Sequence, residues 1–405
     1  MSSYLEQNNL IKDNQFGFRR GRSTEQAATL FLDQVKRKVN DGKLVGSVFI
    51  DLSKAFDTLS HAKLLNKLAS YGVSDAELHW FEDYLFNRSR SVKYQDVLSR
   101  QQKVYCGVPQ GSILGPLLFI IFFNDFCCCL KHSDVTKYAD DTVISVAGKD
   151  IFIIETRLSS DMQAISEWFL QNELILNLNK GKTEAMLFGT AKNLTKQPDI
   201  LNVTYEYNTI KVTTSYKYLG VHIDQSINLN SHFNKTYKKA SGRLRLLNKL
   251  RPMLNQKAAK SIYVGMILPS LTYCGMTNIN QNKSQEKMLH SIHNRAVNII
   301  GKNRYKIYNP LALNRIRICG FVRKCINGNV CSNFRHYFEL SNHKHLTRNN
   351  RNILKLPKIR LEYARGSCYY MGAKLYNNLP LEIRKIENFT QFTMHLKNYY
   401  FNFYN

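Results

Sequence analysis

Acidic residues are scarce in this 405-residue chain. Thirty Asp and Glu stand against 57 Lys and Arg, giving a formal net charge of +27 and a pI near 9.7. Such a surplus excludes a surface that repels polyanions and points to nucleic acid as the simplest partner. On charge alone, a merely soluble basic protein or a membrane-surface binder stays open. The nine cysteines include no CxxC pair, so no common zinc ribbon or dithiol redox motif is present. The wide set Cys319, Cys325, Cys331 and His336 is a conceivable zinc set but matches no usual finger spacing. The opening Ser2-Ser3-Tyr4-Leu5-Glu6-Gln7 is polar and carries no secretory signal. Free thiols in a reducing, intracellular compartment (nuclear, cytoplasmic or both) follow, with Cys127-Cys128-Cys129 expected as small buried groups. Long apolar runs are absent too. The longest, Ile113 to Phe123, is broken by Gly115-Pro116 and is too short for a bilayer. It reads as a buried helix, and no membrane partner is expected. Internal repeats and long low-complexity tracts are missing as well.

What remains is an ordinary folding composition, 44% hydrophobic and 21% charged, in a chain long enough for two or three domains. Ser23-Thr24-Glu25-Gln26 resembles a capping box. Leu30, Val35 and Val39 follow near helical spacing, and Gly42 closes the segment. The β-branched, apolar residues 45–50 predict a strand. Helices are expected from Ser60 through Leu68 and from Ser74 through Leu85, then a hairpin over Val92–Val97 and Gln102–Cys106. Ile154, Leu158, Met162, Ile165 and Phe169 form one helical stripe, a core face. Glu184–Phe188 and Tyr216–Ile223 read as further strands. After Asp224 the composition shifts, with Lys235, Lys238, Lys239, Arg243, Arg245, Lys249 and Arg251 spread through helical segments. A nucleic-acid-facing surface and a solvated face both fit that spacing. Arg348-Asn349-Asn350-Arg351 and Lys355-Leu356-Pro357-Lys358 read as loops.

Tyr138-Ala139-Asp140-Asp141 carries the chemistry. Two adjacent carboxylates at a hairpin tip repel each other, and burying them without a counter-charge costs several kcal/mol. A pair of divalent cations would remove that penalty and, with a third carboxylate, build a two-metal phosphoryl-transfer centre. Asp51, at the end of Gly46-Ser47-Val48-Phe49-Ile50, is the candidate third ligand.

The neighbouring motifs sharpen this reading. Phe49-Ile50-Asp51-Leu52-Ser53-Lys54-Ala55-Phe56-Asp57, Gly107-Val108-Pro109-Gln110-Gly111-Ser112, Tyr138-Ala139-Asp140-Asp141, Leu178-Asn179-Lys180-Gly181-Lys182-Thr183 and Tyr218-Leu219-Gly220 follow in that order. With Gln15-Phe16-Gly17-Phe18-Arg19-Arg20-Gly21-Arg22 upstream, the succession resembles the reverse transcriptases of non-LTR, Jockey-like retrotransposons over residues 14–224. Ser367 to Pro380 is similar, more loosely, to the tail of such elements. The resemblance implies an α+β fold: a right-hand polymerase palm, an antiparallel sheet with packed helices. Partial fingers would share residues 1–224 with it. A helical thumb-like region would occupy 225–300 and a basic tail 301–405.

The same resemblance implies roles. Asp51, Asp140 and Asp141, with the Leu52 carbonyl, would hold two Mg²⁺ ions, Mn²⁺ being an alternative. Lys182 would protonate the pyrophosphate, with Lys180 competing for that role. Phe56 would exclude a ribose 2′-OH, or serve simply as a core aromatic. Gln110 would touch the incoming sugar, and Gly111 would admit the template backbone. Arg19 or Arg22 would grip the triphosphate, and Tyr218-Leu219-Gly220 would form the primer grip. The implied partners are an RNA template, a DNA primer or target, and dNTPs. The chain departs from the family at Arg20, where a proline is usual. Only residues 1–14 precede the fingers signature, so an N-terminally truncated element is expected. A decayed polymerase fold that only binds RNA is the alternative from another class, and a group II intron or retron relative is a third.

Overall fold

The computed structural model describes residues 1–196, 201–277, 282–301, 306–341 and 353–404. The loop expected at Arg348–Arg351 lies outside them. The chain divides into two compact units. Residues 1–23 and 43–216 form the first, and residues 24–42 and 217–405 form the second.

The first unit is built on the expected strand. β1 (Leu44–Ile50) is buried along its whole length, so its apolar residues do not alternate with exposed polar ones. After it come the short ribbon strands β2 (Ser89–Arg90), β3 (Lys93–Tyr94), β4 (Val97–Leu98) and β5 (Gln102–Lys103). β2 pairs with β5 and β3 with β4, giving a nested, fully exposed hairpin. β6 (Asp134–Tyr138), β7 (Asp141–Gly148) and β8 (Glu184–Phe188) complete a four-stranded antiparallel sheet in the order β6-β7-β1-β8.

The helix Ile151–Asn172 packs on this sheet through Ile154, Leu158, Met162, Ile165 and Phe169, all at most 1% exposed. Asp150 caps its start by accepting the Ile153 N–H at 2.9 Å. The apolar run folds as a helix over Gly115–Phe122. Its expected first residue does not join it: Ile113 is 95% exposed, because Gly111-Ser112 still belong to the preceding turn. The three consecutive cysteines also differ from expectation. They lie in a 3₁₀ helix, Asp125–Cys129, whose threefold turn sends neighbouring side chains in different directions. Phe126 takes the core position, Cys128 is exposed, and burial pushes the Cys129 thiol up to about 12.

In the second unit the helix expected after Ser23 forms over Thr24–Asn40. It carries a buried polar row toward the C-terminal part of the chain. Asp33 accepts the N–H groups of Cys368 and Tyr369 at 3.1 and 3.0 Å. Lys36 donates to the carbonyls of Thr277 and Gly366, and Arg37 stacks over the rings of Tyr369 and Tyr337. These contacts place residues 24–42 with the C-terminal part by packing, whereas the sequence groups them with residues 1–224. The basic helix spans Asn230–Leu250. Lys235, Lys238, Lys239, Arg245 and Lys249 are exposed on it. Arg243 instead donates to Met266 O and Ser270 Oγ, and Arg251 to Ile299 O and Leu254 O. Among the described residues no helix is long and apolar enough to cross a membrane.

Candidate active site

The site lies at one end of the four-stranded sheet. Antiparallel register pairs Ile50 of β1 with Thr142 of β7. Asp51 and Asp141, one step further along each strand, therefore fall side by side. Tyr138 pairs with Asp141, leaving Ala139 and Asp140 as the two-residue tip of the β6–β7 hairpin. Ala139 sits in the left-handed region at φ 55°, an uncommon choice for a residue with a Cβ.

The carboxylates feel one another. Burial pushes the Asp140 acid up, and the charge of Asp51 adds to the shift. Asp141 rises to about 6, chiefly through burial, then through Asp140 and Asp51; the Lys182 ammonium opposes the shift in both. Among the described residues no three His, Cys, Asp or Glu side chains converge into a ready metal-ligating cluster. Asp51 is occupied elsewhere. Its Oδ1 lies 3.5 Å from Lys182 Nζ, and its Oδ2 accepts a hydrogen bond from Asn177 Nδ2 at 3.0 Å. The acidic set is thus gathered at one sheet end without being closed around a point.

The loop supplying Lys182 is tied to the same place. Asn177 N donates to Asp51 O at 2.9 Å and Ser53 N to Ile175 O at 3.0 Å. Between them Leu52 bridges Leu176, and among the described residues the Leu52 carbonyl takes no backbone bond. Asp51 N donates to Thr183 Oγ1, and Tyr216 donates its hydroxyl to Lys182 O at 2.8 Å while stacking on Phe49 at 4.2 Å. Lys182, not the exposed Lys180, stands beside Asp51. Asn177, Thr183 and Tyr216 escape the sequence reading. Each lies next to or inside a recognisable motif, but its partner becomes evident only when the strands pair.

Phe56 stacks on Phe119 at 4.5 Å and meets Phe18 edge-on at 6.2 Å, and it remains half-buried. It is a core aromatic with one accessible side. Gln110 donates to Asp57 Oδ1 at 2.8 Å, and Gly111, at φ 79°, faces open space where a side chain would be.

Arg19 and Arg22 are both engaged by acidic residues. Arg19 forms a two-pronged ion pair with Glu6 at 2.7 and 2.6 Å, its side chain 4% exposed. Arg22 pairs with Asp13 at 2.5 Å and donates to Gln15 O at 3.1 Å. In this arrangement both charges are paired inside the N-terminal segment. In the second unit Tyr218 is buried against Phe31, and Leu219-Gly220 form a left-handed turn whose Leu219 carbonyl accepts from Tyr273 Oη at 2.8 Å. Cys319 and Cys325 of the wide zinc set are buried in the helix Pro310–Ile326. Burial raises both thiols, Cys319 to about 12, as expected of packed apolar groups.

The first unit is thus an α+β fold whose antiparallel sheet gathers three acidic residues and a lysine at one end. The family model for reverse transcriptase (RNA-dependent DNA polymerase) matches residues 1–223, more than half the chain, and the chain belongs to that family. It is 27% identical over 319 residues to "Probable RNA-directed DNA polymerase from transposon BS" of Drosophila melanogaster, covering 74% of this chain and 34% of that protein. It is 28% identical over 298 residues to "RNA-directed DNA polymerase from mobile element jockey" of Drosophila funebris, covering 69% and 31%. The chain spans about a third of the length of these curated relatives. Among solved structures, telomerase from Candida albicans with a telomeric RNA fragment aligns at TM-score 0.36 and 12% identity, over 78% of this chain and 55% of that one.

Proposed function

We propose that this chain is the catalytic core of an RNA-directed DNA polymerase of a non-LTR retrotransposon, extending a primer 3′-OH with dNTPs on an RNA template. The observation that carries the reading is the meeting of Asp51, Asp140, Asp141 and Lys182 at one end of the antiparallel sheet. The donor set fits divalent cations such as Mg²⁺ or Mn²⁺. It offers hard oxygen ligands, and burial, then the neighbouring carboxylates, raises the proton affinity of Asp140 and Asp141, with the Leu52 carbonyl nearby. Asp51, Asp140, Asp141 and Leu52 O would hold the ions. When bound, such ions lower the pKa of an attacking hydroxyl and neutralise charge on the leaving pyrophosphate.

The remaining roles belong to the chain itself. Lys182, half-exposed beside Asp51, is poised to deliver a proton to a leaving phosphate oxygen. Phe56, held by Phe119, would present its free side to the sugar and discriminate against a 2′-OH. Gln110 and Gly111 lie on the exposed turn that would meet the nucleotide and the template. Tyr218-Leu219-Gly220 would support the primer. The exposed lysines of the helix Asn230–Leu250 suit a backbone-reading thumb, since an A-form heteroduplex is recognised by shape and phosphates. Primer extension on poly(rA)/oligo(dT), with Asp140→Ala alongside, tests the reading. The wild-type chain is expected to incorporate dTMP and the variant not. Wild-type incorporation no higher than the variant's would leave a basic RNA-binding protein with an inactive polymerase fold.

A further inference from the structure

The acidic hairpin tip is held by a side chain far away in sequence. Gln15 is 1% exposed. Its Oε1 accepts the Ala139 N–H at 2.9 Å, and its Nε2 donates to the Ala139 carbonyl at 3.3 Å. One side-chain amide therefore pairs with both backbone groups of the residue between Tyr138 and Asp140, as a strand would. The same Oε1 accepts the Gly17 N–H at 2.8 Å.

The backbone around Gln15 continues the pairing. Phe16 N donates to Lys137 O and Lys137 N to Asn14 O, both at 2.8 Å, making a parallel bridge from Gln15 to β6. Gly17 completes the fit, since a Cβ there would lie 2.3 Å from Ala139 N. Arg19 and Arg22 brace this segment from behind, through Lys12 O at 2.9 Å, Asp13 O at 2.5 Å and Gln15 O at 3.1 Å.

Ala139 needs such a clamp. A residue with a Cβ is disfavoured in the left-handed region, and its peptide groups fix the direction in which Asp140 leaves the chain. We propose that Gln15 and Gly17 form a latch that positions the Asp140-Asp141 tip, with Arg19 and Arg22 supporting it. Gln15 is a positioning residue: its amide oxygen and nitrogen both bond to backbone and touch no reacting group. The inference rests on the polymerase reading for its effect on catalysis, but the latch itself does not depend on that reading.

The test compares Gln15→Ala, Gln15→Glu and Gly17→Ala in the full chain. Gln15→Glu keeps the acceptor for Ala139 and Gly17 but loses the donor to Ala139 O, so it guards against a Gln15→Ala chain that does not fold. Three quantities are read: the thermal midpoint, hydrogen exchange of the segment 138–141, and primer-extension kinetics. Exchange at 138–141 should quicken at least about tenfold in Gln15→Ala and less in Gln15→Glu, while the sheet amides of β1 and β7 stay protected. With dTTP, kcat should fall about 10- to 100-fold in Gln15→Ala and Gly17→Ala, with KM within about threefold, as a small misplacement of reacting groups predicts.

Unchanged exchange at 138–141 in a folded Gln15→Ala or Gln15→Glu chain would overturn the latch. Faster exchange with unaltered kcat would overturn its positioning role. If the wild type incorporates nothing, the polymerase reading fails while the exchange data still decide the latch.

Discussion

Asp141→Asn should stabilise the metal-free protein at neutral pH, against the usual direction of a substitution. The Asp141 acid rises from 3.8 to about 6 through burial and the charges of Asp140 and Asp51. A shift of two units corresponds to nearly 3 kcal/mol in a dry site, at about 1.4 kcal/mol per unit. The carboxylate remains solvent-accessible, so screening reduces the expected gain to about 1–2 kcal/mol. The sign follows from linkage. A carboxyl group whose folded pKa lies above its unfolded one is favourable to folding below about pH 4, and that advantage is lost as pH rises through 6. The stability difference between Asp141→Asn and wild type should be near zero at pH 4, grow between pH 4 and 6, and be flat above 7. Urea unfolding in EDTA at a series of pH values measures it. A variant no more stable than wild type at pH 7.5, or a pH-independent difference, would refute the claim that these carboxylates repel one another in the fold. Magnesium supplies the complementary limb: it should raise the wild-type midpoint and do so far less in Asp141→Asn.

Four further outcomes are expected. Lys182→Gln should lower kcat for dNTP addition about 10- to 100-fold with little change in KM, the scale of a lost general acid; an equal loss in Lys180→Gln would move the role to that residue. Tyr216→Phe keeps the stack on Phe49 but loses the bond to Lys182 O, so about 1 kcal/mol of stability and a few-fold in kcat should go together; an unaltered midpoint in urea would argue against that bond. Phe56→Ala should raise ribonucleotide incorporation at least about tenfold relative to dNTP; unaltered discrimination would leave Phe56 as a core aromatic only. Replacing Lys235, Lys238 and Lys239 by Gln should reduce the slope of log K against log salt for RNA binding by about 2–3, and an unaltered slope would remove that helix from the interface.

Much of the first unit was legible because its signals are local. β1, the stripe from Ile154 to Phe169 and the apolar helix before Asn124 follow from side-chain pattern, which reports burial one element at a time. Ile113 and Cys128 are exposed against that pattern for the same reason. Apolar character says that a residue can be buried, but the turn at Gly111-Ser112 and the 3₁₀ geometry decide which residues are. Arg19 and Arg22 illustrate a second limit. A cation in a nucleotide-binding signature is equally able to pair with Glu6 or Asp13, and only the packed segment shows which partner lies within reach.

Charge and residue identity are properties of single positions, so the basic character, the order of the motifs and the presence of Asp51, Asp140, Asp141 and Lys182 can be read along the chain. Packing in three dimensions sets Lys182 rather than Lys180 beside Asp51, joins Thr24–Asn40 to the C-terminal unit, and lets Gln15 grip Ala139 across 124 residues of chain. A hydrogen bond is set by distances near 3 Å and by angle. Its partners become adjacent only once β1, β6 and β7 have paired and the segment before them has laid itself along the hairpin.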